Sequence, residues 1–320
     1  MILEKWKNAQ TYVIGKYHIN NNMPCQDRTA YLQKNGVKVI VLADGAGSQS
    51  NSHIGAEIVC NKICNLMVNN FVEYLMYFEY QKVDPSLHKE KMNELSKLIL
   101  SEVLVDLKNK ALAMNVSIKE LSSTLLFFAT KDHHYIQGHI GDGVIAGLYV
   151  ENQHNRIKIF SEPENGTQSN ITFFVTDTDS VDHLRLKAGK NDNIAGVIMS
   201  SDGAADVLFK KNIVDPSVYE LFSKFSSKTS EEYNQILSEF LTKVISNYST
   251  DDLSFNLLFL EDIDTDVVDK NYAYYMMRDI VSSKQVIKKS QYCYYLDSAI
   301  NPNKVEFNSP DDVKRYIKWN

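Results

Sequence analysis

The sequence predicts an α+β fold in which a two-layer core of β-sheet is covered by helices. Many short apolar runs, continuous or alternating with polar residues, are typical of strands joined by hairpins. Two long stretches, within residues 52–80 and 89–114, and two shorter ones, near 216–226 and 230–247, carry apolar residues at the three and four spacing of helices. This segregation of helices from hairpin-linked strands indicates an α+β fold.

The predicted strands account for most of the core. In chain order they lie near residues 11–19, 28–33, 37–43, 122–130, 133–140, 143–150, 155–160, 171–176, 181–187, 194–200 and 252–260. A proline-containing break at 82–87 separates the two long helices. The order is therefore strands, two helices, many strands, two helices and a final strand.

The composition changes after about residue 262. Residues 1–262 carry all of these patterns and are predicted to form one domain, whereas residues 263–320 are rich in tyrosine and lysine and are predicted to be an appendage packed on it. Within the appendage, Ser309 and Pro310 are a favourable helix start, as N-cap and first helical residue.

Composition and charge argue against several classes of protein. The chain has 320 residues, of which 44% are hydrophobic and 23% charged, as is typical of a globular protein. A net charge of −6 argues against an extended nucleic-acid surface. The first residues lack the apolar run of a signal peptide, and no window is long enough to span a bilayer. We therefore expect a cytoplasmic protein with no nucleic-acid or membrane partner.

The cysteines do not indicate a disulfide framework or a thiol nucleophile. Cys25, Cys60, Cys64 and Cys293 are few and scattered. Cys60 and Cys64 share one face of a predicted helix, where two buried core residues are a simpler explanation than half of a metal site. No cysteine is followed six residues later by arginine, so the phosphate-binding loop of cysteine-dependent phosphatases is missing.

Three predicted strand ends carry an Asp-Gly pair, beginning at Asp44, Asp142 and Asp202. Such a pair between two strands is a preferred hairpin turn, and this explanation fits Asp142 well. It fits Asp44 and Asp202 badly, because small residues follow each of them and lead towards a helix. At these two positions the glycine gives the backbone room to approach a ligand beside the carboxylate.

Two further acidic elements fit the same pattern. Asp27 precedes an early strand, and the pair Asp251-Asp252 precedes the last core strand. Acids at strand starts and ends can converge on one edge of a sheet, where they raise one another's pKa unless a cation neutralises them. Oxygen ligands without His or Cys favour Mg²⁺ or Mn²⁺ over Zn²⁺.

An ordered set of motifs resembles the metal-dependent protein phosphatases, the type 2C serine/threonine phosphatase family, and particularly its bacterial branch. The motifs are PCQDR, VLADGAG, LSSTLLFFAT, GHIGDGVIAG, IMSSDGAAD and TDDLSFNLL, within residues 8–262. Together, in this order, they are more specific than any one alone. The resemblance implies a four-layer αββα sandwich of two mainly antiparallel sheets flanked by helix pairs. It also implies two Mn²⁺ or Mg²⁺ ions, with a third in many relatives, at one end of the sheets.

The resemblance assigns a role to each matching residue. Asp44 resembles the carboxylate that bridges both metal ions, and Gly45 resembles the residue whose backbone carbonyl binds one of them. Asp202 and Asp251 resemble the ligands of the other ion.

The remaining acids resemble weaker elements of the family site. Asp142, with Asp202, matches the third-metal position, and Asp27 matches an acid that binds through water. Asp252 is interpreted as a turn or cap acid beside the ligand.

The chain departs from the family pattern at its substrate-facing edge. It has Gln26 where many relatives have glutamate, and Asn22 where they have an arginine that can hold a phosphate with two hydrogen bonds. His18, at the end of the first predicted strand, is the candidate replacement as a phosphate contact. A His packed at a strand end with no role is the alternative.

The implied function is a phosphoprotein phosphatase that hydrolyses phosphoserine and phosphothreonine with a metal-activated water, and Asp44 and His18 are its candidate catalytic residues. The departures leave open a pseudophosphatase or a scaffold that binds phosphorylated partners, and a hydrolase of small phosphorylated molecules. A degenerate site has no reason to keep Asp44, Asp202 and Asp251 together, so the enzyme is favoured.

Overall fold

Two five-stranded antiparallel sheets stack face to face, and a pair of helices covers the outer face of each. This arrangement is seen in a computed structural model, which describes residues 6–82, 84–151, 154–164, 172–210, 213–223, 228–261, 294–296 and 317–319. The predicted α+β fold, a four-layer αββα sandwich, is confirmed.

The element bounds define the two sheets. The strands are β1 Trp6–Val13, β2 Arg28–Lys34, β3 Val37–Ala43, β4 Leu125–Lys131, β5 His134–Ile140, β6 Val144–Glu151, β7 His154–Ser161, β8 Arg185–Lys190, β9 Ile194–Ser200, β10 Phe209–Lys210, β11 Ile213–Val214, β12 Leu253–Leu260, β13 Tyr294–Leu296 and β14 Ile317–Trp319. The helices are α1 Lys16–Asn20, α2 Ser52–Met76, α3 Pro85–Met114, α4 Ser180–His183, α5 Asp202–Leu208, α6 Pro216–Ser223 and α7 Ser230–Lys243. The first sheet has the order β1-β12-β9-β6-β7 and the second has the order β2-β3-β4-β5-β8.

Three apolar clusters fill the spaces between the four layers. The helices α2 and α3 pack on the second sheet through residues such as Val59 and Leu107, and α6 and α7 pack on the first sheet through residues such as Phe222 and Leu237. The two sheets meet through a third set: Ile40, Leu42, Leu126, Phe128, Ile145, Met199 and Leu258. Each fully buried side chain of this size stabilises the fold by about 1.5–3 kcal/mol. Apolar burial at all three interfaces between the layers therefore stabilises the sandwich.

Local signals start two of the helices. Asp84 caps α3 by accepting from two backbone N–H groups, and Pro85 occupies the first helical position, so the predicted break at 82–87 contains the helix start. Thr229 and Glu232 form a capping box at the start of α7. None of the helices that the structure describes is long and apolar enough to cross a membrane.

Three of the predicted elements near one end of the sandwich are wrong. The strand predicted at 11–19 ends at Val13 and is followed by α1, which at five residues is too short to show a helical period. The described residues 172–176 form no strand, although their apolar run matches one. The strand predicted at 181–187 begins as α4 and continues as β8.

The predicted appendage at 263–320 and its helix start at Ser309 lie almost wholly outside the described residues. Its described parts, β13 and β14, pair with each other antiparallel. The domain boundary after residue 262 stays a prediction.

Candidate metal centre

The second sheet brings Asp27 and Asp44 together. Its register pairs Arg28 with Ala43, so the residue before β2 and the residue after β3 meet at one end of the sandwich. Asp27 is fully buried, whereas Asp44 is partly exposed. Their carboxyl groups are close enough for the negative charge of Asp27 to raise the pKa of Asp44.

The backbone around Asp44 is fixed by the residues that lead into β4. The Asp44 N–H donates to Thr124 Oγ1 at 2.9 Å, and the Asp44 carbonyl accepts from the Thr124 N–H at 2.8 Å. Gly45 forms a bridge with Ser123. A Cβ at Gly45 would lie 2.7 Å from Ser52 Oγ, so the close approach of α2 requires glycine there. The LSST segment, residues 121–124, therefore fixes the backbone that carries the Asp44 carboxylate.

The first sheet brings three more acids to the same end. β9 ends between β6 and β12, where Ser200 pairs with a residue of each neighbour. Asp142 lies two residues before β6, Asp202 two residues after β9, and Asp251 two residues before β12. The negative charge of Asp202 raises the pKa of Asp44, so the two sheets contribute to one cluster.

Asp44 lies at the centre of five acids that oppose one another's ionisation. Burial raises its pKa most, followed by the negative charges of Asp27, Asp202, Asp142 and Asp251. Burial is also the main reason why the pKa of Asp27 and that of Asp202 rise to about 7. The pKa values of Asp142 and Asp251 are raised as well, chiefly because the surrounding protein desolvates their carboxyl groups, although Asp251 also keeps an exposed surface. A cation bound here would relieve this repulsion.

The donor chemistry of the cluster suits a hard cation. Both carboxyl oxygens of Asp27 and Oε1 of Gln26 are buried and have no geometrically aligned hydrogen-bond partner among the described residues. Over the same part of the chain, no three His, Cys, Asp or Glu side chains are arranged to hold one ion. Water and backbone oxygens would therefore have to complete each coordination shell. Mn²⁺ and Mg²⁺, which bind oxygen and retain waters, fit this set better than Zn²⁺.

Without metal, the protein is expected to lose stability as the pH rises. The pKa of Asp27 and that of Asp202 are about 7 in the folded protein, against an ordinary value of 3.8. The folded state therefore holds protons that the unfolded chain releases. The stabilisation from these protons is complete below about pH 4 and is lost as the pH rises through about 7. Its loss lowers the free energy of unfolding by an amount on the order of a few kcal/mol. In EDTA, the unfolding temperature should fall between about pH 5 and pH 8.

Two variants separate the cluster from other titrating groups. Asp27→Asn should flatten the pH dependence, whereas Asp132→Asn, in the β4–β5 turn at the opposite end of the sheet, should keep it. Excess Mn²⁺ at the higher pH should restore the unfolding temperature. A slope that Asp27→Asn leaves unchanged would place its source elsewhere in the protein.

His18 does not lie at a strand end. It is in α1 and is 3% exposed, with Nδ1 2.8 Å from Asp252 Oδ2. The prediction of its placement was wrong because the chain turns at Gly15 into a helix that points the ring inward. A phosphate would have to compete with the Asp252 carboxylate for this ring, so the geometry does not favour His18 as a phosphate contact.

Arg28 does not replace the arginine that Asn22 substitutes for. Arg28, next to Asp27, donates through Nη1 to the backbone carbonyls of Cys25 and Asp27 at 2.8 and 2.7 Å, and it lies over the ring of Tyr12. Arg28 is thus tied to its own segment. Asn22, at the position of the family's arginine, has a left-handed backbone with a φ of 54°.

Asp206 was missed by the sequence reasoning. It lies one turn after Asp202 on α5, and its negative charge helps to raise the pKa of Asp142 and that of Asp251. The signal was present in the DGAAD segment, where two acids four residues apart share one face of a helix. The sequence interpretation used only the small residues that follow Asp202 and lead towards a helix, so it did not include the second acid.

Comparison with known proteins gives the same fold and family. Residues 14–242 match the family model described as protein phosphatase 2C. Serine/threonine-protein phosphatase 3 of Escherichia coli (strain K12) is 24% identical over 257 residues, which is 77% of this chain and 95% of that relative. A crystal structure of a bacterial serine phosphatase is 14% identical with a TM-score of 0.54, covering 81% of this chain and 100% of that one. A serine/threonine phosphatase structure from S. agalactiae is 16% identical with a TM-score of 0.52, covering 80% and 100%.

The matched region is the part of the chain that builds the acidic cluster. Residues 14–242 are well over half of the chain and include Asp27, Asp44, Asp142 and Asp202. They also include strands of both sheets and both helix pairs, apart from the last residue of α7. From this match and the αββα sandwich that carries it, the chain belongs to the protein phosphatase 2C family.

Proposed function

We propose that the protein is a metal-dependent phosphoprotein phosphatase that hydrolyses phosphoserine and phosphothreonine with a water activated by two Mn²⁺ or Mg²⁺ ions. The observation that carries the proposal is that Asp44, after a strand of the second sheet, interacts electrostatically with Asp27 of its own sheet and with Asp202 of the first sheet. A carboxylate with acids on two sides is suited to bridge two ions. The family and the names of the relatives support the reaction class.

The acids would divide the work of holding the ions. Asp44 would bridge both, the Gly45 carbonyl would bind one, and Asp202 and Asp251 would bind the other. When bound, two such ions lower the pKa of a water they share from 15.7 towards about 7, which makes attack on phosphorus feasible in neutral solution. The chain itself then has to hold the ions, orient water and admit the phosphate.

Asp27 and Gln26 are placed to orient water at the buried side of the cluster. Gln26 Nε2 donates to the Gln49 carbonyl at 2.8 Å, which fixes the amide and leaves Oε1 as an acceptor. An amide can accept a hydrogen bond from water but cannot take its proton. Asp27, which is ionisable, can do both, so it is the group that would accept a proton during the reaction.

The cluster is open on the side away from Asp27. Asp251 is exposed, and Asp44, Asp142 and Asp202 are partly exposed. A phosphoryl group can therefore approach from the Asp251 side. Because Asn22 replaces the family's arginine, the phosphate would be held chiefly by the cations and their waters. The proposed substrate is a phosphorylated protein of the cytoplasm.

The scaffold hypothesis is not favoured. A protein that only binds phosphorylated partners needs positive charge, whereas the charges that act most strongly on Asp44 are the negative charges of four other acids. Such a cluster destabilises the fold when no cation is bound. Binding of cations for hydrolysis explains why the acids lie together.

The proposal is tested by turnover with and without metal. Hydrolysis of p-nitrophenyl phosphate should require Mn²⁺ or Mg²⁺ and stop in EDTA, and phosphoserine and phosphothreonine peptides should be cleaved in preference to phosphotyrosine peptides. Turnover that persists in EDTA would rule out the metal mechanism. Metal binding without any hydrolysis would support the scaffold, and a preference for small phosphorylated molecules would replace the protein substrate.

Asp142 is expected to matter only when metal is limiting. Asp142 accepts a hydrogen bond from Thr172 Oγ1, and its pKa is raised by burial and by the charges of Asp206 and Asp251. If Asp142 binds a third metal ion, Asp142→Asn should lower turnover about 10-fold or more at low Mn²⁺, while the two tightly bound ions stay in place. Thr172→Val is the control, since it removes the hydrogen bond but keeps the carboxylate. Mn²⁺ titrations of Asp142→Asn and the unmodified protein that coincide would support a turn acid only.

A further inference from the structure

His18 and Asp252 form a buried pair beside the acidic cluster. The two side chains are 3% and 2% exposed, and His18 Nδ1 lies 2.8 Å from Asp252 Oδ2. The contact is not aligned as a hydrogen bond, so it is an electrostatic contact between ring and carboxylate. Neither residue is needed to close a sheet, since α1 and the 250–252 turn lie outside the strands. The pair therefore calls for an explanation other than strand packing.

Asp252 connects three segments of the chain through its carboxylate. Its Oδ1 accepts from the Gly15 N–H at 2.6 Å, and its Oδ2 accepts from the Gln26 N–H at 2.5 Å as well as facing His18. Its own N–H donates to Asp251 Oδ1 at 2.8 Å. The Asp252 carboxylate thus contacts Gln26, the residue before Asp27, and the Asp252 backbone N–H contacts the side chain of Asp251.

The segment that carries His18 is tightly seated on the turn before β12. The Tyr17 N–H donates to the Thr250 carbonyl at 2.9 Å. A Cβ at Gly15 would lie 2.2 Å from the backbone carbon of Asp251, so only glycine allows the two backbones to approach this closely. The Met23 N–H donates to the His18 carbonyl at 2.9 Å, which fixes the helix against the following loop. The position of the ring is therefore set by the backbone on both sides of it.

We propose that His18 and Asp252 act as a positioning pair that sets the spacing between Asp27 and Asp251 across the two sheets. The inference rests on the proposed function in taking Asp27 and Asp251 as parts of the metal centre. Asp27 comes from the start of β2 in the second sheet and Asp251 from the start of β12 in the first sheet. The Asp252 carboxylate contacts Gln26, the neighbour of Asp27, and Asp252 is itself the neighbour of Asp251.

The pair has a physical reason to stay together. A buried carboxylate that accepts from two backbone N–H groups still needs a favourable polar neighbour, and the His18 ring provides one at 2.8 Å. Removing the ring leaves the carboxylate without that neighbour, and the cheapest relaxation is for the turn at 250–252 to move outward. Asp251 would move with it, so a loss at His18 reaches the metal centre through Asp252.

The test measures Mn²⁺ affinity by calorimetry, which does not depend on turnover. His18→Leu should weaken Mn²⁺ binding about 10-fold or more. His18→Asn should stay within about threefold of the unmodified protein, because the positive end of its amide dipole can face the Asp252 carboxylate near the position of Nδ1. Asp252→Asn should weaken binding as well. The double variant His18→Leu with Asp252→Asn should be no worse than Asp252→Asn alone, since His18 acts through that carboxylate.

A control separates positioning from general loss of stability. Asn191, which is buried at the opposite end of the sandwich, donates to Thr130 Oγ1 at 2.8 Å and to the Asp132 carbonyl at 3.0 Å. Asn191→Ala should lower the unfolding temperature and leave the Mn²⁺ affinity unchanged. If His18→Leu is folded and binds Mn²⁺ as the unmodified protein does, or if the two single effects add, the inference is overturned.

Failure of the proposed function has a different signature. An unmodified protein that does not bind Mn²⁺ at all, or that hydrolyses phosphate esters in EDTA, contradicts the metal centre itself. An unmodified protein that binds Mn²⁺ without turnover contradicts the phosphatase proposal, while the four variants still decide whether His18 and Asp252 position the acids.

Discussion

Asp44→Asn is expected to abolish Mn²⁺ binding and phosphatase activity while the fold survives. The carboxylate interacts with both Asp27 and Asp202 and would bridge both ions, so an uncharged amide no longer offsets the repulsion between the ions. Partners outside the coordination shell typically contribute about 10–100-fold to affinity or activity, so loss of a bridging ligand should cost at least about a hundredfold. The backbone contacts of Asp44 to Thr124 do not involve the side chain and should persist.

The measurement compares Mn²⁺ affinity, turnover and unfolding temperature of the Asp44→Asn protein. In EDTA its unfolding temperature should rise, because one of five mutually repelling acids is gone. Asp132→Asn is the matched control: it is an Asp at the other end of the sandwich, with a φ of 51° that Asn tolerates, and all three quantities should be unchanged. Near-normal turnover by a folded Asp44→Asn protein would contradict the metal centre.

Asp251→Ala and Asp252→Ala are expected to have opposite consequences for the stability of the metal-free protein, although the two residues are adjacent. Asp251 is exposed and adds its charge to the cluster, so its loss should lower Mn²⁺ affinity and turnover while leaving the unfolding temperature in EDTA equal or higher. Asp252 is buried, and its loss would orphan the N–H groups of Gly15 and Gln26 and the ring of His18. That loss should lower the free energy of unfolding by about 3–5 kcal/mol.

Chemical denaturation in EDTA and Mn²⁺ calorimetry on the same two preparations distinguish the roles. The sequence alone led us to expect a mild effect at Asp252, as for a turn or cap acid. Burial reverses that expectation for stability. If instead Asp252→Ala is as stable as the unmodified protein and Asp251→Ala is not, the assignment of ligand and junction within the pair must be exchanged.

The positions of the acids could be predicted because strand ends are visible in a sequence. An apolar run that stops at Asp44 or Asp202 marks both the strand and its terminus, and antiparallel pairing then brings alternate termini to the same end of a sheet. The register supports this reasoning, since Ser200 pairs with residues of both neighbouring strands. The spacing of the apolar residues therefore predicted both the strands and the acids at their ends.

The environment of His18 could not be predicted in this way. Its helix has five residues, fewer than two turns, so the apolar pattern around it is indistinguishable from a strand. The choice between Asp251 and Asp252 has the same origin: in a turn, successive side chains have no fixed period, and which one points inward depends on contacts with segments far away in the chain. Asp252 points inward because Gly15 and Gln26 need an acceptor there.

The strand order of the first sheet has a consequence for the newly synthesised chain. β12 lies between β1 and β9, and it is the last strand of the sandwich to be made. Until β12 has left the ribosome, β1 has no neighbouring strand and Asp251 is missing from the cluster. We therefore expect ribosome-bound chains that expose only the first 240 residues to be inactive and susceptible to protease in the N-terminal strand. A phosphatase assembled in this order cannot act on other proteins before its own domain is complete.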